Sequence, residues 1–341
     1  MKFDVVIGNP PYQAEVESNK RQDPIYQYFY ELAEKIADKY CLISPARFLS
    51  NQGATSKTWN NKMLKDKHLS IKYFTPNSND VFPNVDIKGG VVVLYRDNSK
   101  LFEAIDIFIP IKELRSIYLK VKKITQGNIS DFVYSPDSYR FNEQLFKDYP
   151  ELIGRTDKSH AKAVASNIFT RYPEIFYENN PKDEEYIQIY GRLSGQRIYR
   201  WVKRKYISSH PNLDKWKVIL PGANGSGIFG ETISTPIIGK PGIAHNQTFV
   251  SLGEFQSKFE AEALLKYIKS KFGRAMLGIM KITQNNQSKN TWSKVPLQDF
   301  TVNSDIDWTK NVSDIDKQLY EKYKLNQNEI DFIEQSIKKM E

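Results

Sequence analysis

The stretch Phe3-Asp4-Val5-Val6-Ile7-Gly8-Asn9-Pro10-Pro11-Tyr12 decides how the rest of this 341-residue chain is read. Residues 2–8 form a β-branched run that predicts a buried strand. Each proline that follows fixes φ and lacks an N–H, and the residue before each is pushed into an extended conformation. The outcome is a rigid loop at a strand end. It offers two outward acceptors, the Asn9 amide oxygen and the Pro10 carbonyl, beside the flat face of Tyr12. Such a loop suits an exocyclic amine with its ring stacked alongside. Four residues alone are equally compatible with an ordinary strand followed by a Pro-Pro turn, so the choice rests on what surrounds them.

Downstream, Asp23-Pro24 is a helix start, Asp as N-cap and Pro at the first helical position. Ile25, Phe29, Leu32, Ala33, Ile36, Ala37 and Tyr40 follow at helical spacing, predicting a helix to about residue 39. Cys41-Leu42-Ile43 is a short buried strand, a polar helix covers 57–66, and Leu69–Phe74 and Gly89–Tyr95 are strands around a turn-rich segment, 76–88. This alternation predicts an α/β fold with a largely parallel sheet, whose ligands bind at the carboxyl ends of the strands. Asn9–Tyr12 lies at one such end.

After residue 97 the pattern changes. A strand over Leu101–Pro110 and a helix over Lys112–Lys123 precede a boundary near Gly127–Pro136. Short strands and Tyr/Pro/Gly turns then run to about residue 300, with helical material at Gly253–Ile282. Two helices, near Ser313–Tyr323 and Gln327–Met340, end the chain. The division this predicts is 1–125, 126–300 and 301–341.

The net charge of +9 and the 13% aromatic content favour a polyanionic partner. Residues 186–213 contain no Asp or Glu. They interleave Arg192, Arg197, Arg200, Lys203, Arg204 and Lys205 with Tyr190, Tyr199, Trp201 and Tyr206, a pattern suited to phosphate contacts and base packing. A solvated basic face has the same composition. A second basic stretch, Lys266–Lys294, carries Arg274, Lys281, Gln284, Asn285 and Asn286, whose amides could read base edges or line an ordinary loop. Gly225-Ser226-Gly227-Ile228-Phe229-Gly230 matches G-x-G-x-x-G after a strand, Trp216–Leu220. A nucleotide site needs a helix to begin there, whereas Glu231–Pro236 reads as strand, so no cofactor site is assigned. No apolar run approaches the roughly 18 residues that span a membrane. The single cysteine, Cys41, reads as a small buried hydrophobe and fits a reducing cytoplasm. Four scattered histidines lack metal-ligand spacing, so no metal site is expected.

Phe3–Gln13 closely resembles the catalytic motif of amino-group DNA methyltransferases, nearest to the gamma-class N6-adenine enzymes of type II restriction–modification systems, including those fused to a nuclease. Ile43–Ser50 and Asp80-Val81-Phe82-Pro83-Asn84-Val85-Asp86-Ile87-Lys88-Gly89-Gly90 are also similar to that group. So are Trp216–Gly230 and Thr283–Phe300, in its target-recognition domain. The resemblance implies a partial Rossmann-like methyltransferase sheet, a mixed α+β target-recognition domain and C-terminal helices. It implies that a flipped adenine of double-stranded DNA is held by Asn9, Pro10, Pro11 and Tyr12, with Tyr95 packing against the base. The DNA contacts expected from the two basic stretches are Arg192, Arg197, Arg200, Lys203, Arg204, Lys205 and Lys281. S-adenosyl-L-methionine is the implied cofactor. In that group the cofactor loop and an acidic ribose-binding residue precede the Asn-Pro-Pro-Tyr strand, and only eight residues precede Asn9 here. The expectation is that the cofactor-binding half lies on a companion chain or has been lost, leaving Phe3–Gly8 as a sheet edge. A catalytically inactive DNA-binding specificity module is the alternative. Methylation of a protein glutamine is a third reading, against which the large basic second domain speaks. No cleavage activity is assigned to these residues.

Overall fold

The computed structural model describes residues 3–14, 23–50, 54–85, 87, 89–183, 185–225, 227–281 and 284–340. Asp86, Lys88, Ser226, Ile282 and Thr283, quoted above, lie outside the described residues. The chain divides into two compact units, Met1–Pro110 and Ile111–Glu341.

The first unit runs Val6–Gly8 (β1), Tyr26–Ile36 (α1), Lys39–Pro45 (β2), Lys57–Lys65 (α2), Leu69–Thr75 (β3) and Val91–Asp97 (β4). Its sheet has the order β1-β2-β4-β3. β1 and β2 are parallel, with Val6 opposite Tyr40 and Gly8 opposite Leu42. β4 runs antiparallel to both of its neighbours. The sheet is therefore mixed and not largely parallel. Among the described residues between β3 and β4 only a 3-10 turn, Ser78–Asp80, intervenes, and a return without a crossover helix favours antiparallel pairing. Leu101–Pro110, expected as a strand, forms none.

Helix α1 does not start as its sequence predicts. Ile25 stands at the N-cap without a side-chain cap, and the helix begins at Tyr26. Pro24 is instead bridged to Gln13. Ala14 N–H donates to Asp23 O at 3.2 Å and Ile25 N–H to Tyr12 O at 3.1 Å. These bonds tie the residues after Tyr12 to the helix entrance, and that pairing outweighs the capping preference of Asp23. α2 starts conventionally, the Ser56 side chain accepting from Trp59 N–H.

Strand alternation sorts the side chains of this sheet. Tyr40, Leu42, Val92 and Leu94 face α1 and α2, packing with Tyr30, Ala33, Trp59, Met63 and Leu64. The opposite face carries Cys41, Ile43, Val93 and Tyr95, all half-buried. Cys41 is thus not the fully buried residue its neighbours suggested. β1 is an edge strand, and Ile7 is 75% exposed. The buried strand expected at residues 2–8 is in fact a short one with an open edge and an open face.

The second unit runs Lys112–Ile124 (α3), Val133–Tyr134 (β5), Glu143–Asp148 (α4), Ile168–Arg171 (α5), Tyr186–Leu193 (β6), Gln196–Lys203 (β7), Trp216–Pro221 (β8), Ile237–Gly239 (β9), Ile243–His245 (β10), Phe249–Phe255 (β11), Lys258–Lys269 (α6), Lys271–Gly278 (α7), Val312–Lys322 (α8) and Gln327–Ser336 (α9). Two sheets, β10-β6-β7 and β5-β11-β8-β9, form its frame. Capping boxes open α6 (Ser257, Glu260) and α9 (Asn326, Glu329). Glu329, nearly inaccessible, also accepts from Ser116 Oγ at 2.6 Å and Lys120 Nζ at 2.7 Å, fastening α3 to α9. The helix after Pro110 therefore packs within the second unit. Glu231–Pro236, expected as a strand, is irregular, and no helix begins at the glycine-rich loop before it. Among the described residues no helix is long and apolar enough to cross a membrane.

Candidate active site and nucleic-acid interface

In the first unit β1, β2 and β3 all end, and β4 begins, at one edge of the sheet. Three connections meet there: the Asn9–Tyr12 loop, the 3-10 turn Ala46–Ser50, and the segment 76–90. They are stitched together. Ala46 N–H donates to Gly90 O at 2.9 Å, and the Tyr12 and Phe82 rings meet edge-on, with centroids 6.3 Å apart and planes at 68°. Gly90 has φ +79°, and a Cβ on it would lie 2.0 Å from Thr75 O, so only glycine permits this return of the chain.

Within the loop, Asn9 and Pro11 are exposed, Pro10 is buried and Tyr12 is half-buried. The Tyr12 ring packs on the cluster that contains Tyr26, Tyr30 and Phe48. Its backbone carbonyl is taken by Ile25 N–H. Among the described residues, no donor reaches the Asn9 side chain or the Pro10 carbonyl. Two acceptors therefore stand free beside an anchored aromatic ring. The Tyr12 hydroxyl is buried without a hydrogen-bond partner among the described residues, and burial pushes its pKa up to about 12. It stays neutral near pH 7 and presents an uncharged ring.

Tyr95 is not brought to this loop. It pairs with Cys41, which pairs with Ile7, so it lies level with the middle of β1, two residues ahead of Asn9. Its hydroxyl donates to Asp97 Oδ2 at 2.7 Å, and Lys72 Nζ sits 5.2 Å from its ring centroid. Phe82 holds the position opposite Tyr12 that was expected of Tyr95. The signal for Phe82 was its place in Asp80–Pro83, a turn at the carboxyl ends of the strands.

In the second unit, cross-strand pairing sorts the basic residues of the β6–β7 hairpin. Arg192 is opposite Arg197, Tyr190 opposite Tyr199, Gln188 opposite Trp201 and Tyr186 opposite Lys203. Alternation puts these on one face. Ile187, Ile189, Val202 and Ile198 point the other way, into the core with Phe169 and Tyr172. Arg200 shares that inward side and bonds Glu178 at 2.7 Å. Arg204 is held by Glu185 at 3.2 Å and by both oxygens of Asp214, and Lys205 by Asp148 at 3.0 Å. Arg192 and Arg197 differ from these. Among the described residues they donate only to backbone carbonyls, those of Gly195 at 3.1 Å and Thr235 at 2.8 Å, and no carboxylate pairs with them. Two like charges directly opposite on a sheet repel, and an anion between them removes the repulsion. Tyr199 stands exposed beside them.

Lys281 is not a surface cation. It is 8% exposed, paired with Glu231 at 2.6 Å, and bonded to Asn224 O at 3.2 Å. The same Glu231 carboxylate accepts from Gly227 N–H at 3.1 Å. This buried pair holds the glycine-rich loop. Gln284 and Asn285 are exposed, whereas Asn286 is buried beneath them.

Residues 1–82 match the family model described as Eco57I restriction-modification methylase. The chain is also 33% identical over 103 residues to an uncharacterized adenine-specific methylase of Mycoplasma pneumoniae (strain ATCC 29342 / M129 / Subtype 1), covering 29% of this chain and 24% of that protein. The chain thus spans about a quarter of the length of the curated relative it matches. Among solved structures, the type IIG restriction endonuclease BpuSI aligns at 12% identity with a TM-score of 0.37, over 98% of this chain and 53% of that one. The type IIL restriction-modification enzyme MmeI in complex with DNA aligns at 9% identity with a TM-score of 0.36, over 98% and 56%.

Proposed function

We propose that this chain supplies the substrate-holding loop and the DNA-recognition part of a gamma-class adenine-N6 DNA methyltransferase of a type II restriction–modification system. The observation that carries the reading is the Asn9–Tyr12 loop itself: two unclaimed acceptors, on a strand end, beside an anchored ring with Phe82 against it. The match of residues 1–82 to a restriction-modification methylase family supports it.

In this reading an adenine leaves the duplex and packs against the Tyr12–Phe82 ring pair. Asn9 Oδ1 and the Pro10 carbonyl accept the two N6 hydrogens, which orients the nitrogen lone pair away from the ring plane. Positioning supplies most of the acceleration. S-adenosyl-L-methionine, when bound, contributes a methyl group already activated by its sulfonium. The described residues of the first unit do not fit that donor. β1 has no neighbour on its outer side, and neither a glycine-rich phosphate-type loop nor an acidic side chain stands beside it to take a ribose. The donor site is assigned to polypeptide outside residues 1–341, in the same protein or a companion chain, adding to the free β1 edge. Target recognition on double-stranded DNA is assigned to 126–300, with 301–341 as a closing helical segment and the cytoplasm as the compartment.

A methyl-transfer assay with radiolabelled donor tests this, run on duplex DNA with the donor-binding part supplied. Asn9→Ala is expected to reduce incorporation into adenine by a hundredfold or more while duplex affinity stays within about threefold. Equal incorporation by the variant, or transfer to protein in place of DNA, overturns the reading. The open β1 edge also favours a second reading, a DNA-binding specificity module without catalysis. That module would bind duplex DNA in the same assay and transfer nothing.

A further inference from the structure

At the carboxyl end of the first unit's sheet, one charged group is left unanswered. Arg47 follows β2 in the turn Ala46–Ser50 and is half-buried. Its Nε is fully buried without a hydrogen-bond partner, and among the described residues no carboxylate pairs with its guanidinium. A buried guanidinium nitrogen without an acceptor is costly. No acceptor among the described residues relieves it. The side-chain stem is instead clamped. A Cβ on Gly89 would lie 2.7 Å from Arg47 Cγ, and Gly89 adopts φ +88°, so the 76–90 segment passes directly over the arginine. Tyr26 lies near it: burial pushes the Tyr26 hydroxyl up to about 12, and the Arg47 charge opposes that rise only in part. Tyr26 packs edge-on to Trp59 and against Phe48, in the cluster on which Tyr12 rests. Arg47 therefore lies at the same end of the sheet as the Asn9–Tyr12 loop, with no carboxylate partner among the described residues.

We propose that Arg47 binds a phosphate of the nucleotide whose base enters the Asn9–Tyr12 loop. A guanidinium presents a planar fork of donors that matches two phosphate oxygens. A nucleotide held by its base at Asn9 and Tyr12 carries a phosphodiester on each side of its sugar, so an anion arrives at this end of the sheet together with the base. The inference rests on the adenine-holding reading for its base, though not for its anion. Arg47 acts as a substrate-positioning residue through the backbone.

The test uses the full chain and three probes followed by tyrosine fluorescence: 2′-deoxyadenosine, 2′-deoxyadenosine 3′,5′-bisphosphate and 2-deoxyribose 5-phosphate. The expected result is that the bisphosphate binds about tenfold or more tighter than the nucleoside. Arg47→Gln should erase that advantage while leaving nucleoside affinity within about twofold, and Arg47→Lys should restore part of it. Thermal melts of both variants verify that the turn still folds. Equal affinity of the unaltered chain for nucleoside and bisphosphate overturns the proposal, as does an advantage that survives Arg47→Gln. Binding of the sugar phosphate in an Arg47-dependent way, with no added affinity from the base, supports the anion site and removes the adenine reading. No binding of any probe overturns both.

Discussion

At the level of single residues, the loop shows how far residue type can be trusted. The strand-end position of Asn9–Tyr12 and the exposure of Asn9 were legible because they depend on local covalent geometry: proline stiffens the loop, and an amide after a strand is turned outward. The base-packing role of Tyr95 was inferred from family order, whereas strand register sets it opposite Cys41 and level with Ile7, ahead of the loop. Phe82, in an irregular turn, has no periodicity to announce it. It is expected to matter more than Tyr95. If base stacking is worth about 1–3 kcal/mol, Phe82→Ala should lower kcat/KM for methyl transfer by roughly tenfold to a hundredfold. Tyr95→Phe should stay within about twofold. Steady-state kinetics of the complemented enzyme check both, and a Tyr95 effect as large as that of Phe82 would restore the original assignment.

For individual elements, the β6–β7 hairpin divides a basic run that looked uniform. Alternation gives Arg192 and Arg197 to one face and Arg200 to the other, and local carboxylates claim Arg200, Arg204 and Lys205. Charge counting could not make this distinction, since Glu178, Glu185, Asp214 and Asp148 come from outside the strands or the acid-free stretch. The two arginines without carboxylates should therefore carry the phosphate contacts. Replacing either Arg192 or Arg197 by Gln is expected to lower the slope of log affinity against log salt by about 1, for any duplex sequence. Arg200→Gln and Arg204→Gln should leave the slope unchanged and lower the melting temperature. Fluorescence anisotropy at a series of salt concentrations separates the two groups, and equal slope changes for all four would refute the sorting. The helix after Asp23-Pro24 teaches a related lesson. A good capping sequence lost to the pairing of Gln13 with Pro24, because that pairing also fixes Tyr12.

For the whole molecule, each of the two units has its own core. The second builds its core from two sheets and helices α6–α9, and α3 is fastened into it by the buried Glu329. A fragment of residues 111–341 is accordingly expected to unfold in one cooperative transition and to bind mixed-sequence duplex DNA with the salt slope of the full chain. Calorimetry and anisotropy on the fragment check this, and a broad melt or a reduced slope would show that the first unit contributes.

By itself, the sequence determined the α/β character of the first unit, the rigid loop at the end of its first strand, the basic character of the second unit and most of the helices. These follow from local propensity, periodicity and proline chemistry. Only the tertiary structure decided that β4 runs antiparallel between β2 and β3, that Phe82 meets Tyr12, and that Arg200, Arg204 and Lys205 have carboxylate partners while Arg47, Arg192 and Arg197 have none among the described residues. Strand order, register and charge pairing join residues far apart in the chain, and no short-range preference encodes them.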